Sequence, residues 1–393
     1  VNDSYIFTSE SVTAGHPDKL CDQVSDSIVD HFLKGDPASS IVAECALSSG
    51  VMFISAHYAS LAKLDIQRIA RNTIRSVGYS PKEFNADDCT IMTSFQNHTA
   101  SDYHPLDLEA MDNAQIDRIT AKHPATLFGY ACDQTKALMP LPIWLAHKLA
   151  VQLDSAKVKK QLPYLLPDGK AQVAIEYVDG APNRIHSITL VTSQTDGGID
   201  LNQLYGDMVQ YVIEPVLKKE KFPADEHTKV FVNPEGLQIG GGPAVHSGLT
   251  GRKTGIDTYG EYARHSGTAL SGKDPLRIDR VGAYAARYAA KNLVAAGLAK
   301  ECEVQLSYTV GAARPISLRV RTFGTGSAED SVLATQLDKV IDFRLGAIVR
   351  DLKLQTLPSS IEGFYRKLAV YGQIGRTDLA VPWEKTDKAK LLG

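Results

Sequence analysis

The sequence points to an α+β chain in which a unit of one helix followed by a pair of strands recurs three times. Three observations lead there. Apolar stripes at three- and four-residue steps alternate with short β-branched runs. Turn residues divide those runs into pairs. The rounds fill 393 residues, a length that suits two or three domains better than one core.

In the first round, Leu20, Val24, Ile28 and Phe32 recur at four-residue steps, and Val29 and Leu33 widen the stripe. They predict a helix over about 18–34, with Pro17 in its first turn and Gly35-Asp36-Pro37 as its stop. Strands over 41–47 and 51–56 flank Ser48-Ser49-Gly50, a hairpin signal. A helix near 64–77 and a short strand near 89–93 follow. From Gln96 to Lys122 the chain is polar and aperiodic, and it reads as a long loop of the kind that carries function. The second round has a helix near 143–153, strands near 171–178 and 185–193, and a helix near 201–217. The third has a strand near 229–232, a Gly-rich loop over 236–251 and a helix near 276–296. Strands near 303–310 and 316–322 and one helix over 332–352 complete it.

Composition narrows the function. Hydrophobic residues make up 44% and charged residues 22%, as in a folded globule. A net charge of −3 argues against non-specific binding to nucleic acid or membrane, so any polyanion must meet a local basic cluster. Five cysteines stand singly with no C-x-x-C pair, which excludes a zinc ribbon and a disulfide framework and fits a reducing compartment. No apolar run approaches the roughly 18 residues of a membrane span. The expected location is the cytoplasm.

Three segments carry chemistry. Gly15-His16-Pro17-Asp18-Lys19 opens the first helix, where free N–H groups favour an anion and Asp18 could hold a divalent cation. Ordinary capping explains the same residues equally well. Gly240-Gly241-Gly242-Pro243, followed by Ser247 to Lys253, pairs close backbone approach with Arg252 and Lys253, which suits polyphosphate, although the Walker A spacing fails. Ser271-Gly272-Lys273-Asp274-Pro275 with Arg277, Asp279 and Arg280 interleaves cations and carboxylates as Mg2+-bridged phosphates require. Taken alone, a solvated helix start accounts for it.

Together these segments resemble the S-adenosylmethionine synthetase (methionine adenosyltransferase) family. The resemblance runs through Phe7-Thr8-Ser9-Glu10-Ser11-Val12, Gly15 to Lys19, Phe128-Gly129-Tyr130-Ala131 and Pro167-Asp168-Gly169-Lys170. It continues through Gly248 to Lys253, Asp257-Thr258-Tyr259-Gly260, Ala285-Ala286-Arg287-Tyr288 and Pro382 to Asp387, covering nearly the whole chain. It implies three intertwined α/β domains with pseudo-threefold symmetry, here placed at 1–105, 120–229 and 230–393. It also implies a homodimer or dimer of dimers with active sites at the subunit interface. The implied reaction joins the methionine sulfur to C5′ of ATP, displaces triphosphate, and hydrolyses it to phosphate and pyrophosphate. By matching motifs, His16, Lys170, Arg252 and Lys273 would be catalytic, and Asp168, Lys170, Arg252, Lys253, Lys273 and Arg277 would line the nucleotide. Asp18 and Asp279 would bind Mg2+, and Glu44 would lie by a K+ site. Arg277 stands where the family has Lys.

The acceptor pocket departs from the family. His57, His123 and His246 occupy positions of family Glu, Asp and Asp, and His98 that of a family Gln, with Gln96 two residues away. Leu237-Gln238 replace the adenine-stacking Phe. A carboxylate holds an ammonium and an imidazole does so weakly, so these exchanges suit an acceptor without the ammonium, or a transition metal if three imidazoles converge. Beside a synthetase acting on methionine stand three alternatives: a non-methionine acceptor, a triphosphate hydrolase, and a non-catalytic partner.

Overall fold

A computed structural model describes residues 4–393 except 81, 196–197 and 221. The chain enters through β1 (Ser4–Val12), then α1 (Pro17–Gly35), β2 (Ser40–Ser48), β3 (Val51–Ala59), α2 (Ile66–Val77) and β4 (Thr90–Asn97). β5 (Ala125–Cys132), α3 (Leu141–Val158), β6 (Leu165–Val178), β7 (Ala181–Gln194), α4 (201–220) and β8 (Lys229–Val232) follow. Then come β9 (Gln238–Ile239), β10 (Gly248–Leu249), α5 (Ile278–Ala295), β11 (Glu301–Tyr308), β12 (Ser317–Arg321), α6 (Asp330–Val340) and α7 (Leu345–Asp351).

The three rounds form three sheets, each built on one antiparallel hairpin with the preceding helix packed on it: α1 on β2–β3, α3 on β6–β7, α5 on β11–β12. The first strand of every hairpin takes an antiparallel partner from a different round. β1 joins β6, β5 joins β11, and β10 returns from the third round to join β2. The exchange is cyclic, and it is the structural form of the internal threefold repeat. Close approach is built into it: a Cβ at Gly129 on β5 would lie 2.0 Å from the Ala286 carbonyl of α5.

From Pro17 to Asp30 α1 is buried on every side, charges included, and its last turn exposes His31 and Lys34. Lys19 reaches Asp22 at 3.0 Å and Asp257 at 2.5 Å, and Asp26 meets Arg280 at 2.7 Å. Buried charges survive only when paired in this way.

Some expectations need correction. The helix over 332–352 is two helices, interrupted where Ile341 turns extended and Arg344 reaches Asp342, Asn113 and Asp117. The helix near 201–217 contains a π turn at Val209–Ile213. The long loop is shorter than expected, because β4 runs to Asn97 and single turns form at Thr99–Asp102 and Asn113–Ile116. Among the described residues no helix is long and apolar enough to cross a membrane.

Candidate active site

The first cluster gathers around the start of α1. His16 caps the helix, its Nδ1 accepting the Asp18 N–H at 3.2 Å. Asp18 is buried and accepts the Leu249 N–H at 3.0 Å and Lys253 Nζ at 2.9 Å, with Arg252 at 3.9 Å. Asp168, near the start of β6, accepts the Gly242 N–H and His246 Nε2, both at 2.8 Å. Gly242 has φ +64°, and a Cβ there would meet the Tyr79 hydroxyl at 1.9 Å, so only glycine lets the loop reach Asp168. Lys170 pairs with Glu10 at 2.5 Å. The sheet thus supplies Asp168 and Lys170, the helix start supplies His16 and Asp18, and the Gly-rich loop supplies His246, Arg252 and Lys253.

Electrostatics here follow burial and pairing. Burial depresses the His16 imidazole to about 4 against the pull of Asp168 and Asp18, so at neutral pH its 3.8 Å approach to Asp18 is not an ion pair. The hydrogen bond to Asp168 raises His246 in spite of its partial burial. Burial opposes ionisation of Asp18, yet Lys253 and the Leu249 N–H hold its carboxyl below the ordinary range.

The second cluster lies at the start of α5. Asp279, in the first helical turn, accepts Lys273 Nζ at 2.8 Å and His123 Nε2 at 3.0 Å. Lys273 is bridged to Val42 of β2. Arg277 turns instead to Asp274 and Ser40, at 3.4 and 3.5 Å.

The third group is the outer face of the sheet β10-β2-β3-β4. Register places Glu44, Ser55, His57 and Gln96 on that face, with His57 directly opposite Gln96. The His57 and His98 rings stack at 6.1 Å and 12°. Gln96 and His98 therefore both adjoin His57, so either can serve as the neighbour that the sequence places there. Val51, Phe53, Met92 and Leu249 share this face and are each more than 40% exposed.

His57, His123 and His246 do not form the converging triad that a transition metal would need. Each sits in a different group, His57 against His98, His123 on Asp279 and His246 on Asp168. The reason is topological: the three residues belong to β3, the loop before β5 and the loop before β10. Sequence reasoning also missed the pairing of imidazole with carboxylate, which no spacing signals. A cavity of about 620 Å³ between Phe128, Tyr262, Arg264 and Phe323 contains none of these groups.

Comparison with known proteins shows the family. Models of the S-adenosylmethionine synthetase N-terminal, central and C-terminal domains match residues 4–100, 118–238 and 240–385. The S-adenosylmethionine synthase of Trichodesmium erythraeum (strain IMS101) is 42% identical over 99% of this chain and 96% of its own. Those of Synechococcus sp. strains JA-2-3B'a(2-13) and JA-3-3Ab are each 43% identical over 98% of this chain and 97% of theirs.

Proposed function

This chain belongs to the S-adenosylmethionine synthetase family and is an ATP-dependent transferase that forms S-adenosylmethionine, and on that footing we propose how its residues divide the work. Its relatives do not favour the three alternative readings.

The observation that carries the assignment is that Asp18 and Asp279, both buried, each hold a lysine ammonium, Lys253 and Lys273. Paired hard oxygen donors beside cations suit a divalent ion bridging phosphates. The family needs divalent and monovalent cations in general. We assign Mg2+ to Asp18 and Asp279 and K+ to the neighbourhood of Glu44. Bound there, Mg2+ would neutralise charge on the triphosphate, freeing Lys253 and Lys273 to contact phosphate oxygens. Arg252 and Lys170 would add to that clamp, Asp168 would orient the nucleoside, and Arg277 would serve the clamp from its place at Asp274. His16, kept neutral by burial, would donate a hydrogen bond to the leaving oxygen as charge develops there. Catalysis is then positioning plus electrostatics, with no covalent intermediate.

Methionine fits a pocket rich in histidine for a reason in the pairing itself. A neutral imidazole that donates Nε2–H to Asp168 keeps Nδ1 as an acceptor, and His246 in that form would accept from an ammonium. His123 on Asp279 repeats the arrangement, and His57, His98 and Gln96 supply the rest of the acceptor pocket.

Among the described residues no hydrogen bond or ion pair between side chains joins the second and third groups to the first, and an exposed apolar sheet face includes the third. This supports a homodimer, or dimer of dimers, in which a second copy covers that face and completes the site. The division at 1–105, 120–229 and 230–393, and a cytoplasmic location with all five cysteines free, belong to the same reading.

The test is incubation with ATP, methionine, Mg2+ and K+ with mass spectrometry of the products. S-Adenosylmethionine, phosphate and pyrophosphate in equal amounts are expected. If they form no faster than with Asp18→Asn protein, the site is wrongly placed.

A further inference from the structure

His16, Asp168 and His246 each offer a ligand atom, and these atoms all lie within 4.8 Å of one another. No other group of three such side chains occurs among the described residues. The three come from different elements: the cap of α1, the start of β6 and the loop before β10. We propose that they form a site for a divalent transition cation such as Zn2+, separate from the Mg2+ positions at Asp18 and Asp279.

The geometry is close to what such an ion requires. Bonds of about 2.0–2.2 Å from nitrogen and oxygen set the ligand atoms of a tetrahedral ion about 3.4 Å apart. His246 Nε2 and Asp168 Oδ2 are 2.8 Å apart and share one proton, which the cation would replace as the two atoms part by about half an ångström. His16 offers its ring nitrogen within 4.8 Å of both, its ring lying 5.1 Å from that of His246 at 60°, so it would close in by up to about 1.4 Å on binding. The Gly242 N–H on Asp168 Oδ2 fixes the carboxylate, as an outer partner of a ligand does. Two imidazoles and one carboxylate favour a transition cation over Mg2+, which prefers oxygen alone, and three ligands leave positions open. Since the same residues face the proposed nucleotide position, the ion would bind the nucleotide-free enzyme.

The proposal rests on the three side chains, and its test omits nucleotide and turnover so that its failure stands apart from failure of the functional reading. Zn2+ is titrated into the full-length protein against a chromophoric chelator in excess Mg2+. One Zn2+ per chain is expected. His246→Gln, at a half-exposed loop position, should weaken it at least about tenfold, the lower bound for disturbing even an outer partner of a ligand. Asp168→Asn should do the same, with melting curves reporting whether the loop holding Gly242 survives. His57→Gln and His123→Gln should leave the affinity unchanged. Equal binding by wild type and His246→Gln overturns the proposal. So does loss on His57→Gln or His123→Gln in place of His246→Gln, and so does the absence of stoichiometric Zn2+.

Discussion

Replacing Asp18 by Asn changes one buried charge and little else. The amide oxygen can still accept the Leu249 N–H, so β10 keeps its tie to the start of α1. What disappears is the charge that holds Lys253 at 2.9 Å and Arg252 at 3.9 Å. Lys253 is about a quarter exposed and can turn to water, so the stability lost should be near the lower end for one charge-assisted hydrogen bond, about 1.5 kcal/mol. The catalytic loss should be larger. If Asp18 holds the divalent ion as proposed, that ion would be lost from the leaving triphosphate, and removal of one preorganised electrostatic partner costs about 3–4 kcal/mol in the transition state, roughly 10²–10³ in rate. The measurement is phosphate and pyrophosphate release under saturating ATP and methionine, beside a melting curve. A variant that melts within a few degrees of wild type yet turns over several hundred times more slowly fits the assignment. Turnover within a fewfold of wild type refutes it, and a large drop in melting temperature would show that Asp18 serves the fold and not the ion.

Other outcomes follow from the same structure. Phe53→Asp, on the exposed face of the first sheet, should yield 42.6 kDa monomers by light scattering and little activity, whereas a persisting dimer would place the interface elsewhere. His147 is fully buried, with burial pushing its imidazole down to about 3, so the folded state stays neutral while the unfolded state protonates near 6.5. Stability should therefore fall as pH drops from about 6.5 toward 3, by at most about 1.4 kcal/mol per unit, and His147→Gln should flatten that slope in thermal melts. Gly242→Ala forces a Cβ into the Tyr79 hydroxyl at a φ of +64° and should sharply reduce turnover while the core melts nearly as before. Asp26→Asn leaves Arg280 buried and short of its partner and should cost about 3–5 kcal/mol, read as a shift in the denaturant midpoint.

The parts of the fold legible in the sequence are those whose partners are local. The stripe from Leu20 to Phe32 and the turn at Ser48-Ser49-Gly50 specify a helix and a hairpin by neighbours alone, and both form. β1 and β5 escaped because their periodicity makes sense only against β6 and β11, more than a hundred residues away. The interruption at Ile341 escaped for the same reason: Arg344 is drawn to Asn113 and Asp117, distant in sequence. At the site, Asp18, Asp168 and Lys253 stood out through motif, and the structure brings them to adjoining positions. The histidines stood out as exchanges, but their company did not. Whether an imidazole faces a carboxylate, as His246 and His123 do, or another ring, as His57 does, depends on which loops meet.

The cyclic exchange of strands imposes an order on synthesis. Two donors, β1 and β5, are made before the hairpins that receive them, but β10 is made about 200 residues after β2. At roughly 5–20 residues per second, the edge of β2 waits on the order of 10–40 s on the ribosome before Gly248 and Leu249 arrive. The strand Ile-Val-Ala-Glu-Cys-Ala-Leu at that edge is apolar on its inward face and carries a single charge, a composition prone to mispairing with another nascent copy. Truncation anywhere before the third round would make that exposure permanent. Separately expressed thirds of this gene should therefore aggregate, and co-expressed halves cut after β7 should recover only if they meet before their open edges find each other.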